Sequence, residues 1–165
     1  MKYWLVILLL FLSACQSNTR YDNYALEIDT QENYKKTDHQ KYTSTCPTLE
    51  YVATSNNGIL MIFDTEGFHD GLIIGVEINT TSNAISQVKI LAHQETIDYG
   101  GVVDQGWFTQ KYHQQSINKP TNIVRYMSKN EDDIVAMTGA TITSQAINHI
   151  INQAKELALM LKEER

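Results

Sequence analysis

Residues 134–163 read IVAMTGATITSQAINHIINQAKELALMLKE, and three kinds of chain follow one another within them. Ile134 to Met137 is apolar and strand-like. Thr138-Gly139-Ala140-Thr141 is built of small and hydroxyl residues and marks a turn. From about Thr143 to Glu163, the apolar residues Ile147, Ile150, Ile151, Ala154, Leu157, Ala158 and Leu161 recur at spacings of three and four, which predicts an amphipathic helix. Upstream lie β-rich runs: Tyr51 to Thr54, Ile59 to Phe63, Leu72 to Ile78 and Ile85 to Ala92. They are separated by Asn56-Asn57-Gly58, Glu66-Gly67 and Thr80 to Asn83, spacings that suit antiparallel strands joined by short turns. In the last run Ile85, Val88 and Ile90 alternate imperfectly with Ser86, Gln87 and Lys89, as in a half-buried strand carrying a bulge. Trp107 to Gln115 reads as a short helix with Trp107, Phe108 and Tyr112 turned inward. The expected architecture is α+β: one domain, an antiparallel sheet packed with a long C-terminal helix and a shorter one.

At 165 residues, with 42% of them hydrophobic, the chain suffices for one buried core. The formal net charge is -6 and no basic stripe stands out, so no nucleic-acid partner is expected. The five histidines, His39, His69, His93, His113 and His149, have no paired metal-ligand spacing. No Ser-His-Asp, Cys-His or phosphate-loop pattern is present, and no catalytic acid or base is evident.

The N-terminus reads as an address. Met1 and Lys2 precede an apolar run from Tyr3 to Leu12, about half of the roughly 20 residues a spanning helix needs. Leu12-Ser13-Ala14-Cys15 then resembles a bacterial lipobox, which makes residues 1–14 a signal peptide and Cys15 the acylated first residue. The alternative is an ordinary signal peptide with an incidental Cys. Acylation at Cys15 implies a membrane contact through lipid, in the cell envelope and facing the periplasm. Gln16 rather than Asp after the Cys favours the outer membrane, by resemblance to lipoprotein sorting. Residues 15–48 are polar and read as a tether with at most one ordered turn, before a folded domain over 49–165. With Cys15 acylated, Cys46 has no partner for a disulfide within the chain and is expected to be a buried or unreactive thiol.

The turn before the long helix carries the chemistry. A helix start presents unpaired N–H groups and the positive end of its dipole, which favour a phosphate beside the Thr141 hydroxyl. The same residues also suit plain capping of the helix by Thr141 or Thr143. On these residues alone both readings stand.

The stretch Ala136 to Ser144 closely resembles the Ser/Thr-Gly-Ala-Thr motif of the FMN-binding domain family. That family includes the periplasmic-facing flavin subunits of the sodium-translocating NADH:quinone reductase and of the Rnf electron-transport complex. The resemblance implies that Thr141 is joined to FMN through its phosphate, as a phosphoester made from FAD by a flavin transferase with magnesium. It also sets Thr138, Gly139, Ala140 and Thr143 around the cofactor. A second likeness is the strand Ile85 to His93 running into Gln94-Glu95-Thr96, similar to the family's strand and Glu-Thr-Pro-Gly loop. It implies that Glu95 and Thr96 line the cofactor site, although Ile97 and Asp98 replace the Pro and Gly. Trp107 and Phe108 stand where the family has aromatics and are expected to pack in the core rather than against the flavin. Val135 stands where members often carry an Asp, with Asp132 and Asp133 slightly earlier. The likeness spans roughly Gly58 to Leu161.

The function so implied is that of a lipid-anchored electron carrier, a redox-complex subunit more than a stand-alone enzyme. Its expected partners are a flavin transferase and periplasmic or membrane redox proteins, such as cytochromes or a quinone-linked complex. The alternative is an envelope lipoprotein with an FMN-binding-like fold that holds flavin weakly or not at all and acts in assembly or interaction.

Overall fold

Tight, chemically specified turns fold residues 49–92 into a meander. In this computed structural model, which describes residues 19–28 and 33–164, the strands are β1 (Lys35–Thr37), β2 (Leu49–Thr54), β3 (Gly58–Thr65), β4 (Leu72–Asn79) and β5 (Ala84–Ala92). They form one five-stranded antiparallel sheet in chain order. Ser55 N donates to Gly58 O at 2.9 Å to close the β2–β3 turn. Between β4 and β5, Asn79 Oδ1 accepts from the backbone N–H groups of Thr81 and Ser82, both at 2.9 Å, and Asn83 adopts φ 55. Asn tolerates that left-handed conformation better than most residues. The bulge expected in β5 is present, and there are two: the register against β4 slips at Ser86 and again at Leu91.

The strands β3 and β4 are apolar without alternation because the sheet is covered on both sides. Val52, Ile59, Met61, Phe63, Ile74, Val76 and Ile78 belong to the main core, shared with α2 (Thr141–Glu163). Tyr51, Ala53, Leu60, Ile62 and Ile73 face the other way, against Ala25 and Ile28 of α1 (Thr19–Ile28). Here the structure departs from the tether reading of the polar N-terminal segment. Tyr21, Tyr24, Ala25 and Ile28 form a short helical stripe, diluted in sequence by Arg, Asp, Asn and Glu. Beyond it, Tyr42 and Cys46 enter the main core, and Tyr42 OH donates to Glu164 at 2.8 Å. Cys46 is buried, as expected, and burial pushes its thiol pKa up. The proposed signal peptide and Cys15 lie outside the described residues.

Gly75 makes room for α1, since a Cβ there would overlap the side chain of Ile28. We expect Gly75→Val to lift α1 from the sheet and cost about 2 kcal/mol, the usual scale of overpacking. Thermal melting would read this as a Tm lower by about 6 °C, with proteolysis newly admitted within α1, Thr19–Ile28.

The seven stripe residues of α2 are all buried, as the periodicity predicts. Two short parallel strands, β6 (Asn122–Val124) and β7 (Asp133–Val135), precede it. Asn148 and Asn152 hold Thr121 to the helix: Thr121 Oγ1 donates to Asn148 Oδ1 at 2.8 Å, and Thr121 O accepts from both Asn side chains. The expected helix at 107–115 is instead a 3-10 turn, Thr109–Tyr112. Phe108 and Tyr112 are buried as expected, but Trp107 is 41% exposed, its ring under Lys111 Nζ at 4.8 Å. The shorter α-helix of this α+β single domain is therefore α1. No helix among the described residues is long and apolar enough to cross a membrane.

Lys155 is buried, donates to Lys119 O at 2.9 Å, and has its pKa lowered to about 8, chiefly by desolvation. A lysine pKa lower in the folded state means that the unfolded chain binds more protons between pH 8 and its ordinary value near 10.5. Stability contributed by this group therefore rises with pH across that window. The Tm of the native chain minus that of Lys155→Met is expected to increase from pH 8 to pH 10 and to stay flat from pH 6 to pH 7.5.

Candidate functional site

Asp64, Ile73 and Ala92 form the rung that closes one end of the sheet. The chain leaving β3 and the chain leaving β5 meet beyond it, and Glu95 joins them. Its Oε1 accepts from Phe68 N at 2.9 Å and His69 N at 3.1 Å, while its Oε2 accepts from Thr143 Oγ1 at 2.6 Å. One carboxylate thus ties the β3–β4 loop to the first turn of α2. Glu95 is only 6% exposed, so these three donors stand in for the water it has lost. His93 steadies it from behind: its Nδ1 accepts from Glu95 N at 3.1 Å, and its Nε2 lies 2.9 Å from Asp104 Oδ2. Gly67 and Gly100 let the carboxylate in, because a Cβ on either would overlap it. This is the use of the Gly100 position, which does not take the positive φ that a Gly-Gly turn suggests.

The turn before α2 is held by Ser144. Its Oγ accepts from Met137 N at 2.9 Å and donates to Ala140 O at 2.8 Å. Gly139 sits at φ 78, and a Cβ there would stand 2.8 Å from Tyr99 Cδ1, so both the backbone and the Tyr99 ring require glycine. The capping alternative does not hold: Ala140 is the N-cap, no side chain caps the helix, and the Thr143 hydroxyl is committed to Glu95. Among the described residues the Thr141 hydroxyl has no hydrogen-bond partner, and the N–H groups of Thr141, Ile142 and Thr143 have no backbone partner. Three free N–H groups at the positive end of a 23-residue helix make an anion cradle.

These elements enclose a cleft of about 490 Å³ lined by Phe68, Glu95, Thr96, Tyr99 and Gly100 on one side and residues 139–143 on the other. That size lies within the roughly 300–1,000 Å³ of small-molecule sites. Of the residues picked out in sequence, Glu95, Thr96, Gly139, Ala140, Thr141 and Thr143 come together here. Thr138 is exposed and lies outside the lining, and neither Trp107 nor Phe108 reaches the cleft. Sequence reasoning missed Phe68, Tyr99 and Ile142. The glycines beside the first two, Gly67 and Gly100, answer to the Glu95 carboxylate rather than to these rings. Among the described residues no cluster of His, Cys, Asp or Glu is arranged to hold a metal ion.

An anion cradle opening into a mainly apolar cleft with aromatic walls defines a site for a phosphate attached to a flat ring system. The sequence model of the FMN-binding domain family matches residues 67–156, a span that contains the whole lining. The chain belongs to this family. A comparison with curated proteins finds no match.

Proposed function

We propose that the chain carries FMN as a phosphoester on Thr141 and passes electrons between partners in the cell envelope, where Cys15 anchors it by lipid. The observation that carries this reading is the Thr141 hydroxyl, unpaired among the described residues at the head of three free N–H groups inside the cleft. The residues present fit the group. The N–H groups of residues 141–143 would hold the phosphate, and Phe68 and Tyr99 would flank the ring system from the cleft wall. Glu95 fixes the spacing of the two walls through Phe68, His69 and Thr143.

Attachment from FAD forms the bond from Thr141 Oγ1 to the FMN phosphorus and breaks the pyrophosphate, releasing AMP. A threonine hydroxyl is a weak nucleophile and, among the described residues, no base is bonded to it, so the transferase would supply the base and the magnesium. When bound, FMN supplies reversible electron transfer, and the protein tunes it by the charges and hydrogen bonds around the ring. A covalent bond suits a compartment in which a dissociated flavin would be lost.

The test is co-expression of the full chain with a flavin transferase in a bacterial periplasm. The expected product is yellow after denaturation, heavier by FMN minus water, and reversibly bleached by dithionite and air. A colourless protein of unchanged mass, beside a modified control domain, would favour the alternative role in assembly or interaction.

A further inference from the structure

His93 follows the last residue of β5, and its ring joins two segments behind the cleft wall. Its Nδ1 accepts from Glu95 N at 3.1 Å, and its Nε2 lies 2.9 Å from Asp104 Oδ2 on the 3-10 turn Gly100–Gln105. The side chain is 13% exposed, so the protein rather than water answers its two nitrogens. These contacts fix the form of the ring. A nitrogen that accepts from a backbone N–H carries no proton, and the other nitrogen must then carry one, which it offers to Asp104. The wall is therefore built for neutral imidazole with its hydrogen on Nε2. A second proton goes on Nδ1, where it faces the Glu95 N–H, donor against donor. Asp104 still holds the ring, because its contact is with the nitrogen already protonated. The bond that breaks is the one to Glu95, whose carboxylate ties the β3–β4 loop to α2.

The other titratable groups of the neighbouring segments are engaged elsewhere or exposed. Lys89 of β5 shares a groove with Asp104 and lies 3.6 Å from Glu27. On the β3–β4 loop, His69 Nε2 is 3.4 Å from Thr96 Oγ1, while Glu66 and Asp70 line a separate hollow. Asp98 is exposed. Residues 138–154, the turn and the first part of α2, contain no Asp, Glu, Lys or Arg, and their one histidine, His149, is exposed. Asp104 is thus the acid placed to draw a proton onto the ring. Its side chain is 65% exposed, where an ion pair weighs little. We propose that His93 is a positioning residue for the flavin cleft that works only as the neutral ring: taking up a proton releases Glu95 N and loosens the wall. Histidine is the side chain that changes charge between about pH 5 and pH 8, so the cleft tightens and loosens with the acidity around it. The consequence for flavin rests on the proposed function above; the bond to Glu95 does not.

The test compares the full chain with His93→Asn, whose side-chain oxygen can replace Nδ1 as acceptor but cannot gain a proton. Flavin attachment by a transferase, with FAD and magnesium, is timed at about pH 8 and about pH 5. Dividing the native rate by that of the variant at each pH cancels the transferase's own pH dependence. We expect a ratio near one at the higher pH and about fivefold lower at the acid end, the low end for loss of a buried hydrogen bond. A second readout needs neither flavin nor variant: nitrogen NMR of the isotope-labelled native chain follows the His93 ring and the protection of the Glu95 amide. Protection should be lost in step with protonation of His93. A ring that takes up its proton with the Glu95 amide still protected, or one that stays neutral to the acid end, would overturn the proposal. An unchanged rate ratio with the amide freed would overturn the link to the cleft. A chain that takes no flavin at either pH would count against the flavin reading, and the amide would then decide the role of His93 by itself.

Discussion

Thr141→Ala is expected to abolish covalent flavin while leaving the fold intact. The two effects separate because this hydroxyl makes no hydrogen bond among the described residues, so its removal strands no partner. Alanine is also the better helix former at the first position of α2, so the change in stability should stay within about 0.5 kcal/mol. Thr143→Val, two residues on, should behave differently. It removes the donor to Glu95 at 2.6 Å, leaving a buried carboxylate oxygen short of a partner at a cost of about 2 kcal/mol. Flavinylation should fall there in proportion to the disturbed wall rather than vanish. In-gel flavin fluorescence and thermal melting on the two variants give both halves of the contrast.

Glu95→Ala should have the largest effect on stability. It takes away the acceptor of Phe68 N, His69 N and Thr143 Oγ1 together and opens a hole between Gly67 and Gly100. Hydrogen bonds to a charged group weigh about 1.5–3 kcal/mol each when removed, but Phe68 and His69 are exposed and water replaces part of the loss. A total near 3 kcal/mol is expected, a Tm lower by about 10 °C for a domain of this size. Flavin attachment should drop at least tenfold, since the wall that sets the width of the cleft is no longer tied to α2. Glu95→Gln keeps the volume and one acceptor oxygen, and should recover part of both losses. Equal flavinylation of Glu95→Ala and the native chain, at a temperature where both are folded, would contradict the role of Glu95 in shaping the cleft.

The parts of the fold that sequence reasoning reached are those with long or chemically strict signals. Seven apolar residues over about four turns announced α2. Imperfect alternation in Ile85 to Ala92 announced a bulged strand, and small residues before a helix announced the turn at Gly139. What escaped was short or contributed from afar. The α1 stripe is four residues long and lies in a polar segment, although the unbroken apolar runs of β3 and β4 required a cover on the second face of the sheet. Trp107 was expected inside because it is large and apolar, yet its ring is also a platform for Lys111, and an indole with a cation over it sits well at the surface. In the cleft, Thr141 and Glu95 were picked out through motifs. Phe68 and Tyr99 were not, because only the meander brings the β3–β4 loop beside the segment after β5.

Peptide mapping by tandem mass spectrometry, on the full chain co-expressed with a flavin transferase in the periplasm, addresses the phosphoester most directly. The peptide spanning residues 130–155 should carry a mass equal to FMN minus water, with fragment ions placing it on Thr141. The same mass on Thr138 or Thr143, or an unmodified peptide beside a fully modified control domain, would contradict the assignment of Thr141 as the carrier residue.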